Sequence, residues 1–439
     1  MVRPRPPGRW SGAHGPNGLR HHSRVDSGTA SHRVSAQAWE ERSGFARLSF
    51  AAVLALAMGT STYAGYAFGV LGPLIRDEFG ISRFQLGLLT TCFFLVGGPL
   101  SLAAGRATDA YGARRVMVAA FAVAAGAIVG MAVAPSFLLM LLGAAGAGIA
   151  LATGNPVTNK LIADHLPPGR RGLVMGGKQA GVQVGAFLTG AVLAPIATQV
   201  GWRAAFGWSA LVPLLGLVGA VMLIPRAAGA EAGAPPDRGV ADGRLPVGVR
   251  WLAAYAFLMG SGVAAINAYL PLYLVERAGA SHEAAGAVAA TIGGVGIASR
   301  IAWGWASERM PSFSLPLLLL GIGAVVAVAM VAAVEGIGLW IAWPAAALFG
   351  ATAVTWNAVG MLAVITESGS RLAGAASGVV TAGFYIGFVG SPMAFGLLVD
   401  ATHQYLPAWL LVMAVFAATV AVVLGWRRSS GAADVVRTA

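Results

Sequence analysis

The sequence predicts an all-α integral membrane protein in which twelve transmembrane helices form two pseudo-symmetric six-helix halves. The first observation behind this prediction is composition: 57% of the 439 residues are hydrophobic and only 10% are charged, whereas soluble domains carry about 25% charged residues. The second is that motifs in the first half of the chain recur about 200 residues later. Together they indicate a membrane protein built from an internal repeat.

Twelve apolar stretches follow one another along the chain. Each has about 20 residues or more, enough to cross a hydrocarbon core of about 30 Å as an α-helix. These predicted spans 1 to 12 lie near residues 48–75, 84–105, 113–133, 137–163, 172–197, 203–224, 250–276, 283–306, 313–334, 338–366, 372–398 and 406–426. Their high alanine and glycine content suits helices that approach one another closely in a membrane.

The repeat is carried by matched motifs and glycines. The pattern Gly-x-Ala-(Thr/Ser)-(Asp/Glu) ends two apolar stretches, at 105–109 and at 304–308. Four glycines of predicted span 5 recur in predicted span 11 with the same internal spacing, Gly172, Gly176, Gly181 and Gly185 matching Gly374, Gly378, Gly383 and Gly387. Transporters with internal repeats bind their substrate between the repeats, so we expect the functional site between the two halves.

The net charge of +12 is spread unevenly along the chain, and its distribution indicates which loops are cytoplasmic. Eight arginines precede the first predicted span, and most others fall in alternate loops, so the positive-inside rule predicts a cell-membrane protein with both termini in the cytoplasm. The charge therefore gives no reason to expect a nucleic-acid partner. We expect a disordered basic tail over 1–46, halves over 47–225 and 250–428, a cytoplasmic linker over 226–249 and a second tail over 429–439.

The loop between predicted spans 2 and 3 contains Gly105, Asp109, Gly112, Arg114 and Arg115. In this position the pattern resembles the signature of the major facilitator superfamily, and the resemblance covers residues 47–428. It implies a twelve-helix secondary transporter in which Asp109 and the arginines form a cytoplasmic charge latch. A degenerate second copy retains Glu308 and Arg309. The alternative is a basic loop with a topological role only.

Charges inside the membrane are costly and are usually functional. No Asp or Glu lies deep in a predicted span, which leaves two cations, Lys178 and Arg300. Lys178 lies about seven residues into predicted span 5, which is ~10 Å of helix, and Arg300 lies at a similar depth in predicted span 8. A buried cation favours an anionic partner, so both are candidate substrate ligands. The alternative is that both snorkel to the cytoplasmic surface. For Lys160, Asp164 one helical turn away predicts a structural ion pair instead.

Polar and aromatic residues on other spans complete a candidate cavity for a polar solute. Interhelical hydrogen bonds are the alternative role for each of them. Besides Asn159 and Tyr273, the candidate substrate-binding residues are Asn155, Gln179, Gln183, Asn267, Tyr269, Trp356, Asn357 and Tyr385.

The predicted function is alternating-access transport of a small, anionic organic solute by a monomer, with a proton or an exchanged anion as coupling ion. Arg300 four residues before Gly304 is similar to the helix-eight arginine of monocarboxylate, oxalate-type and nitrate porters, although Ser101 at the symmetric position argues against nitrate. Asn155-Pro156, Lys178-Gln179 and Trp356-Asn357 are similar to cyanate-permease-like members. Efflux of amphipathic drugs and a non-transporting membrane sensor are the alternatives. No catalytic, metal or Walker-type phosphate motif lies in the spans, so we expect neither an enzyme nor a cofactor.

Overall fold

The computed structural model describes residues 43–166, 171–224, 246–307, 309–310 and 312–438, with the backbone alone at some helical positions. Its helices provide twelve segments long and apolar enough to cross a membrane, which confirms the predicted fold. Spans 1 to 6 are formed by helices Gly44–Val70, Arg83–Tyr111, Ala113–Ala132, Phe137–His165, Arg171–Leu188 continued by Ala194–Val200, and Trp202–Trp208 continued by Leu211–Leu223. A short helix, Gly72–Phe79, joins spans 1 and 2.

The second half repeats this plan. Spans 7 to 9 are helices Val247–Ala278, His282–Ser307 and Ser314–Ala332, and span 12 is helix Leu406–Thr438. Span 10 starts at Leu339 and includes helix Ala342–Ala351, and the helical backbone then runs from Trp356 to Thr402. The rings of Trp356 and Phe384 lie only 5.2 Å apart, although 28 residues of straight helix would separate them by about 42 Å. The chain therefore reverses between them, and its apolar parts Leu339–Ser368 and Ala376–Thr402 are spans 10 and 11.

Consecutive spans run in opposite directions, so the bundle has two distinct ends. Ser43, Ile224, Pro246 and Ser429 lie at one of them, which we call the proximal end. The connections that follow the odd-numbered spans lie at the other, which we call the distal end. This division matters because charged residues at the two ends have different partners.

The recurring glycines hold equivalent pairs of spans together in the two halves. A Cβ atom on Gly181 of span 5 would lie 2.0 Å from the Ala55 carbonyl oxygen of span 1. A Cβ atom on Gly387 of span 11 would lie 2.3 Å from the Phe257 carbonyl oxygen of span 7. Both distances are far inside van der Waals contact, so only glycine allows these backbones to approach as they do.

The two halves touch most closely towards the distal end. A Cβ atom on Gly69 of span 1 would lie 1.7 Å from the Asn267 carbonyl oxygen of span 7, and one on Gly190 of span 5 would lie 2.1 Å from the Gly286 carbonyl oxygen of span 8. Nearer the proximal end, a Cβ atom on Gly176 would meet no atom within 4 Å. The distal contact positions spans 5 and 8 side by side, and these spans carry Lys178 and Arg300.

Candidate functional site

The Lys178 side chain is enclosed by the first half of the bundle. Only 1% of the residue is exposed, so its ammonium does not reach the membrane surface. Lys178 Nζ donates to Thr158 Oγ1 at 3.0 Å, to Asn155 Oδ1 at 3.4 Å and to Asn159 Oδ1. All three acceptors are neutral oxygens of span 4.

The acceptors form one face of span 4 because Thr158 and Asn159 follow Asn155 by three and four residues. The Thr158 hydroxyl donates its hydrogen to the Gly154 carbonyl at 2.6 Å. Its lone pairs are therefore left for the ammonium. Asn155 also accepts from Gln179 Nε2 at 3.3 Å, so the amide of Asn155 is the point where Lys178 and Gln179 converge. Adjacent positions on span 5 reach one atom because both side chains are long.

No carboxylate balances this cation among the side chains that the structure describes, since no Asp or Glu there is buried. The other lysine of the chain differs in this respect. Lys160 Nζ lies 3.2 Å from Asp164 Oδ1, with both side chains 42% exposed, as its sequence spacing predicts. Of the two lysines, Lys178 is therefore the one whose charge no described carboxylate balances.

Arg300 connects the two halves. Its guanidinium donates from NH2 to the Val354 carbonyl of span 10 at 3.1 Å and from NH1 to the Gln179 carbonyl of span 5 at 3.5 Å. Its Nε is buried without a hydrogen-bond partner. Tyr66 of span 1, which no sequence motif marks, lies near Arg300. Arg300 therefore lies at the seam between the halves, beside the Lys178-Gln179 backbone.

Aromatic and amide side chains surround this pair of cations. The Trp356 indole is 1% exposed, its ring centroid is 6.0 Å from that of Tyr255, and its N–H has no acceptor. Tyr385 interacts with the Asn155 side chain. The Gln183 side chain lies beside span 8 at Gly296.

The structure brings together Lys178, Asn155, Gln179, Arg300 and Tyr385 by direct interaction. Gln183 packs beside them on spans 5 and 8, and Trp356 and the partly buried Asn357 follow Val354 closely on span 10.

Three predicted site residues lie elsewhere. The ring of Tyr273 lies 5.0 Å from that of Tyr405 at the distal end. The Tyr269 hydroxyl contacts the Arg83 carbonyl at 2.5 Å and the Pro392 carbonyl at 2.9 Å. The Asn267 backbone packs against Gly69. Tyr269 and Asn267 belong to the distal contact between the halves, and none of the three lies in the layer of Lys178.

A distal ion cluster of Arg76, Arg83, Glu276, Asp400 and Tyr405 was not predicted as a unit. Glu276 forms ion pairs of 2.5 Å with both Arg76 and Arg83, and Arg83 lies 3.4 Å from Asp400. The two arginines belong to the first half and the two acids to the second. The sequence marks each residue only as a loop charge, since partners 193 and 317 residues apart leave no local pattern.

The proximal loop motifs are only partly described. Gly112 has a φ of +86°, a conformation that explains glycine at this turn, and no atom lies within 4 Å of a Cβ built on Gly105. Arg114 donates to the Val221 carbonyl of span 6, and Arg115 is exposed. In the second copy, Arg309 donates to the Trp305 carbonyl, and its guanidinium lies over the Trp305 indole ring, 4.0 Å from the ring centroid. The Asp109 side chain and Glu308 lie outside the described residues, so the latch pairing stays a prediction.

Comparison with known proteins identifies the family. The model of the Major Facilitator Superfamily matches residues 54–392. A protein of Cupriavidus necator described as a probable sulfoacetate transporter is 24% identical over 369 residues, 76% of this chain and 83% of its own length. A hexuronate transporter of Bacillus subtilis is 26% identical over 156 residues, 36% of each chain. The chain spans about a third of the length of this and two further curated relatives.

Solved structures agree with the fold. A bacterial homolog to the human lysosomal transporter Spinster, in an inward-facing and occupied conformation, has a TM-score of 0.69 at 17% identity over 88% of this chain and 98% of that one. The nucleoside transporter NupG has a TM-score of 0.72 at 11% identity over 87% and 99%. The family model covers most of the chain and the fold agrees with it: this chain belongs to the Major Facilitator Superfamily.

Proposed function

We propose that the protein moves a small organic anion across the cell membrane by alternating access, with Lys178 and Arg300 as the groups that neutralise the anion. One observation carries this proposal: the Lys178 ammonium is buried, and the oxygens that hold it are neutral. A buried charge without a counter-charge is costly, because neutral dipoles replace only part of its hydration. A substrate anion supplies the missing charge.

The free donors of the site suit a carboxylate or a sulfonate. The Arg300 Nε and the Trp356 indole N–H are both buried without an acceptor. Such donors favour an incoming oxygen, since each unmade hydrogen bond costs about 1–3 kcal/mol. Two of the curated relatives named above support this chemistry, because hexuronate and sulfoacetate both carry a carboxylate. We propose the remaining residues of the layer, Asn155, Gln179, Gln183, Asn357 and Tyr385, as its polar lining.

The side of access follows from the charges at the two ends. Three ion pairs join the halves at the distal end, while Lys178 lies ~10 Å from the proximal end of its helix. Arginine-rich proximal loops place that end in the cytoplasm under the positive-inside rule. These two features support an inward-facing conformation. In the outward-facing conformation, Asp109 would pair across the proximal end as the latch, with 226–249 linking the halves 47–225 and 250–428.

Counterflow in proteoliposomes tests the proposal. Vesicles loaded with one unlabelled solute are diluted into the same labelled solute, using in turn sulfoacetate, glucuronate, 3-(3-hydroxyphenyl)propionate, neutral glucose and the cationic dye ethidium. We expect transient accumulation of at least one of the three anions and of neither control. Accumulation of ethidium alone would favour drug efflux, and the absence of any exchange in a folded protein would favour a sensor.

A further inference from the structure

The distal ion cluster has its positive and negative groups on opposite halves of the molecule. Arg76 and Arg83 come from the connection between spans 1 and 2 and from the start of span 2, whereas Glu276 and Asp400 end spans 7 and 11. Glu276 accepts from both arginines and from the Tyr405 hydroxyl at 2.8 Å. Burial raises the pKa of Tyr405 above its ordinary value, so the hydroxyl stays a neutral donor.

The first half contributes a complete carboxylate-binding site to this cluster. The Asp400 carboxylate accepts from the backbone N–H of Arg83 at 3.2 Å, from that of Phe84 at 2.8 Å, and from the Arg83 guanidinium at 3.4 Å. These amides are the first in the 29-residue helix of span 2. A long helix N-terminus combined with a guanidinium is a strong site for an anion.

Opening of the distal end must withdraw the acids from this site. Glu276 and Asp400 move with the second half, while Arg76, Arg83 and the two amides stay with the first. With the distal end closed, only 21% and 26% of the Arg83 and Arg76 side chains are exposed. Once that end opens, Arg83 and the two amides lack an anion and can take one from the outer solution, whereas Arg76 keeps Asp77 of its own half at 3.8 Å.

We propose that this donor set is an entry site for the carboxylate of the substrate, occupied by Glu276 and Asp400 when the distal end is closed. The inference rests on the proposed anion transport by alternating access. The substrate stabilises the outward-open state by replacing the two side-chain carboxylates. Because those carboxylates compete for the same donors, closure expels the substrate from the entry site towards Lys178.

Rescue with acetate tests the site without a known substrate. In the double variant Glu276→Ala, Asp400→Ala the donors lose their partners and two small spaces open. We expect sodium acetate to raise the melting temperature of this variant by several degrees relative to sodium chloride at equal ionic strength, and to leave the wild type unchanged. Addition of Arg83→Gln should remove the effect. Equal melting in the two salts would overturn the proposal, because the site would then hold no free carboxylate.

A side-specific transport measurement tests the role in entry. With the anion that exchanges in counterflow, Arg83→Gln should raise KM at the outer face about 10-fold and leave KM at the inner face unchanged, as for loss of a charge-assisted contact. The matched control is Arg277→Gln, because Arg277 pairs with Glu335 of the same half. An equal change of KM at both faces, or no change at either, would contradict an entry site.

Exchange of the charges separates an entry site from a simple lock. Arg83→Asp combined with Asp400→Arg restores an ion pair between the halves but moves the positive charge to the second half. We expect the outer KM to stay raised in this variant. A return to the wild-type value would show that the cluster only holds the halves together. If none of the three anions exchanges, the proposed function fails and the entry site falls with it, even where acetate binds.

Discussion

The ammonium of Lys178 is held by oxygens that carry no net charge, and this distinguishes it from the other lysine of the chain. Lys160 shares its charge with Asp164 in an exposed i, i+4 pair, where such pairs contribute little. Lys178 has the same ammonium group but no carboxylate partner among the described side chains. Its burial also excludes the snorkelling alternative, because the head group remains inside the bundle.

Two tryptophans allow a test of the unpartnered indole. Trp356 Nε1 has no acceptor, whereas Trp303 Nε1 donates to the Ala351 carbonyl at 2.9 Å. Trp303→Phe should therefore lower the free energy of unfolding by ~1 kcal/mol more than Trp356→Phe, because it removes a hydrogen bond. Trp356→Phe should lose no such bond but should weaken anion binding by up to about 10-fold. Thermal unfolding and ligand titration of both variants check this, and unchanged anion affinity in Trp356→Phe would remove the indole from the site.

Single residues differ in how far the sequence reveals their role. Lys178 and Arg300 stand out because cations are rare in apolar spans, and Asn155 and Asn159 stand out by their helical spacing. Thr158 carries no such signal, since threonine in a membrane helix usually bonds to its own backbone. The sequence could not show that Tyr269 lies outside the layer of Lys178. The depth of Tyr269 in span 7 can be read from the sequence, but the contact of its hydroxyl with Arg83 and Pro392 cannot.

Glycine spacing decides which helices touch. The sequence relates spans 5 and 11 by their glycines, and the structure shows the physical reason in their contacts with spans 1 and 7. Apolar periodicity does not reveal the irregular segments within the spans. One is the π-helical stretch Thr189–Leu193, which contains the contact between Gly190 and Gly286. Another is the 3-10 stretch Ala353–Thr355, which includes Val354, whose carbonyl accepts from Arg300.

A pair of alanine substitutions on span 5 tests the glycine contacts. In Gly181→Ala the new methyl would lie 2.0 Å from a backbone oxygen, while in Gly176→Ala it would meet no atom within 4 Å. We expect Gly181→Ala to separate spans 1 and 5 and to destabilise the protein by about 1–3 kcal/mol. Gly176→Ala should be neutral or slightly stabilising. Equal thermal stability of the two variants would show that the close approach has no energetic role.

The whole molecule is organised by two similar halves and by two unlike ends. Composition, hydrophobic stretches and the glycine repeat were sufficient to predict twelve spans in two halves, and the loop motif from Gly105 to Arg115 was sufficient to predict the family. They could not predict the conformation, because it depends on contacts between charges that are far apart in the chain. The distal ion cluster supplies that information by joining the halves at one end, while the outer location of that end stays a prediction from the arginine bias.

Cysteine labelling tests this orientation. On a Cys92→Ser background, Gly336→Cys places an exposed thiol at the distal end and Ser429→Cys places one at the proximal end. An impermeant maleimide added to whole cells should label the first variant and should label the second only after permeabilisation. The opposite pattern would reverse the topology and would move the distal ion cluster to the cytoplasm.

The central claim is that the buried charge of Lys178 is neutralised by a transported anion, and anion affinity in two lysine variants tests it most directly. Lys178→Gln should weaken binding of the exchanged anion by 1.5–3 kcal/mol, the scale of a hydrogen bond to a charged group, or roughly 10- to 150-fold. Lys160→Gln should leave affinity unchanged, and Lys178→Arg should restore it only in part, because a planar guanidinium does not fit a compact ammonium site. Equal affinity of a folded Lys178→Gln variant and the wild type would contradict the account.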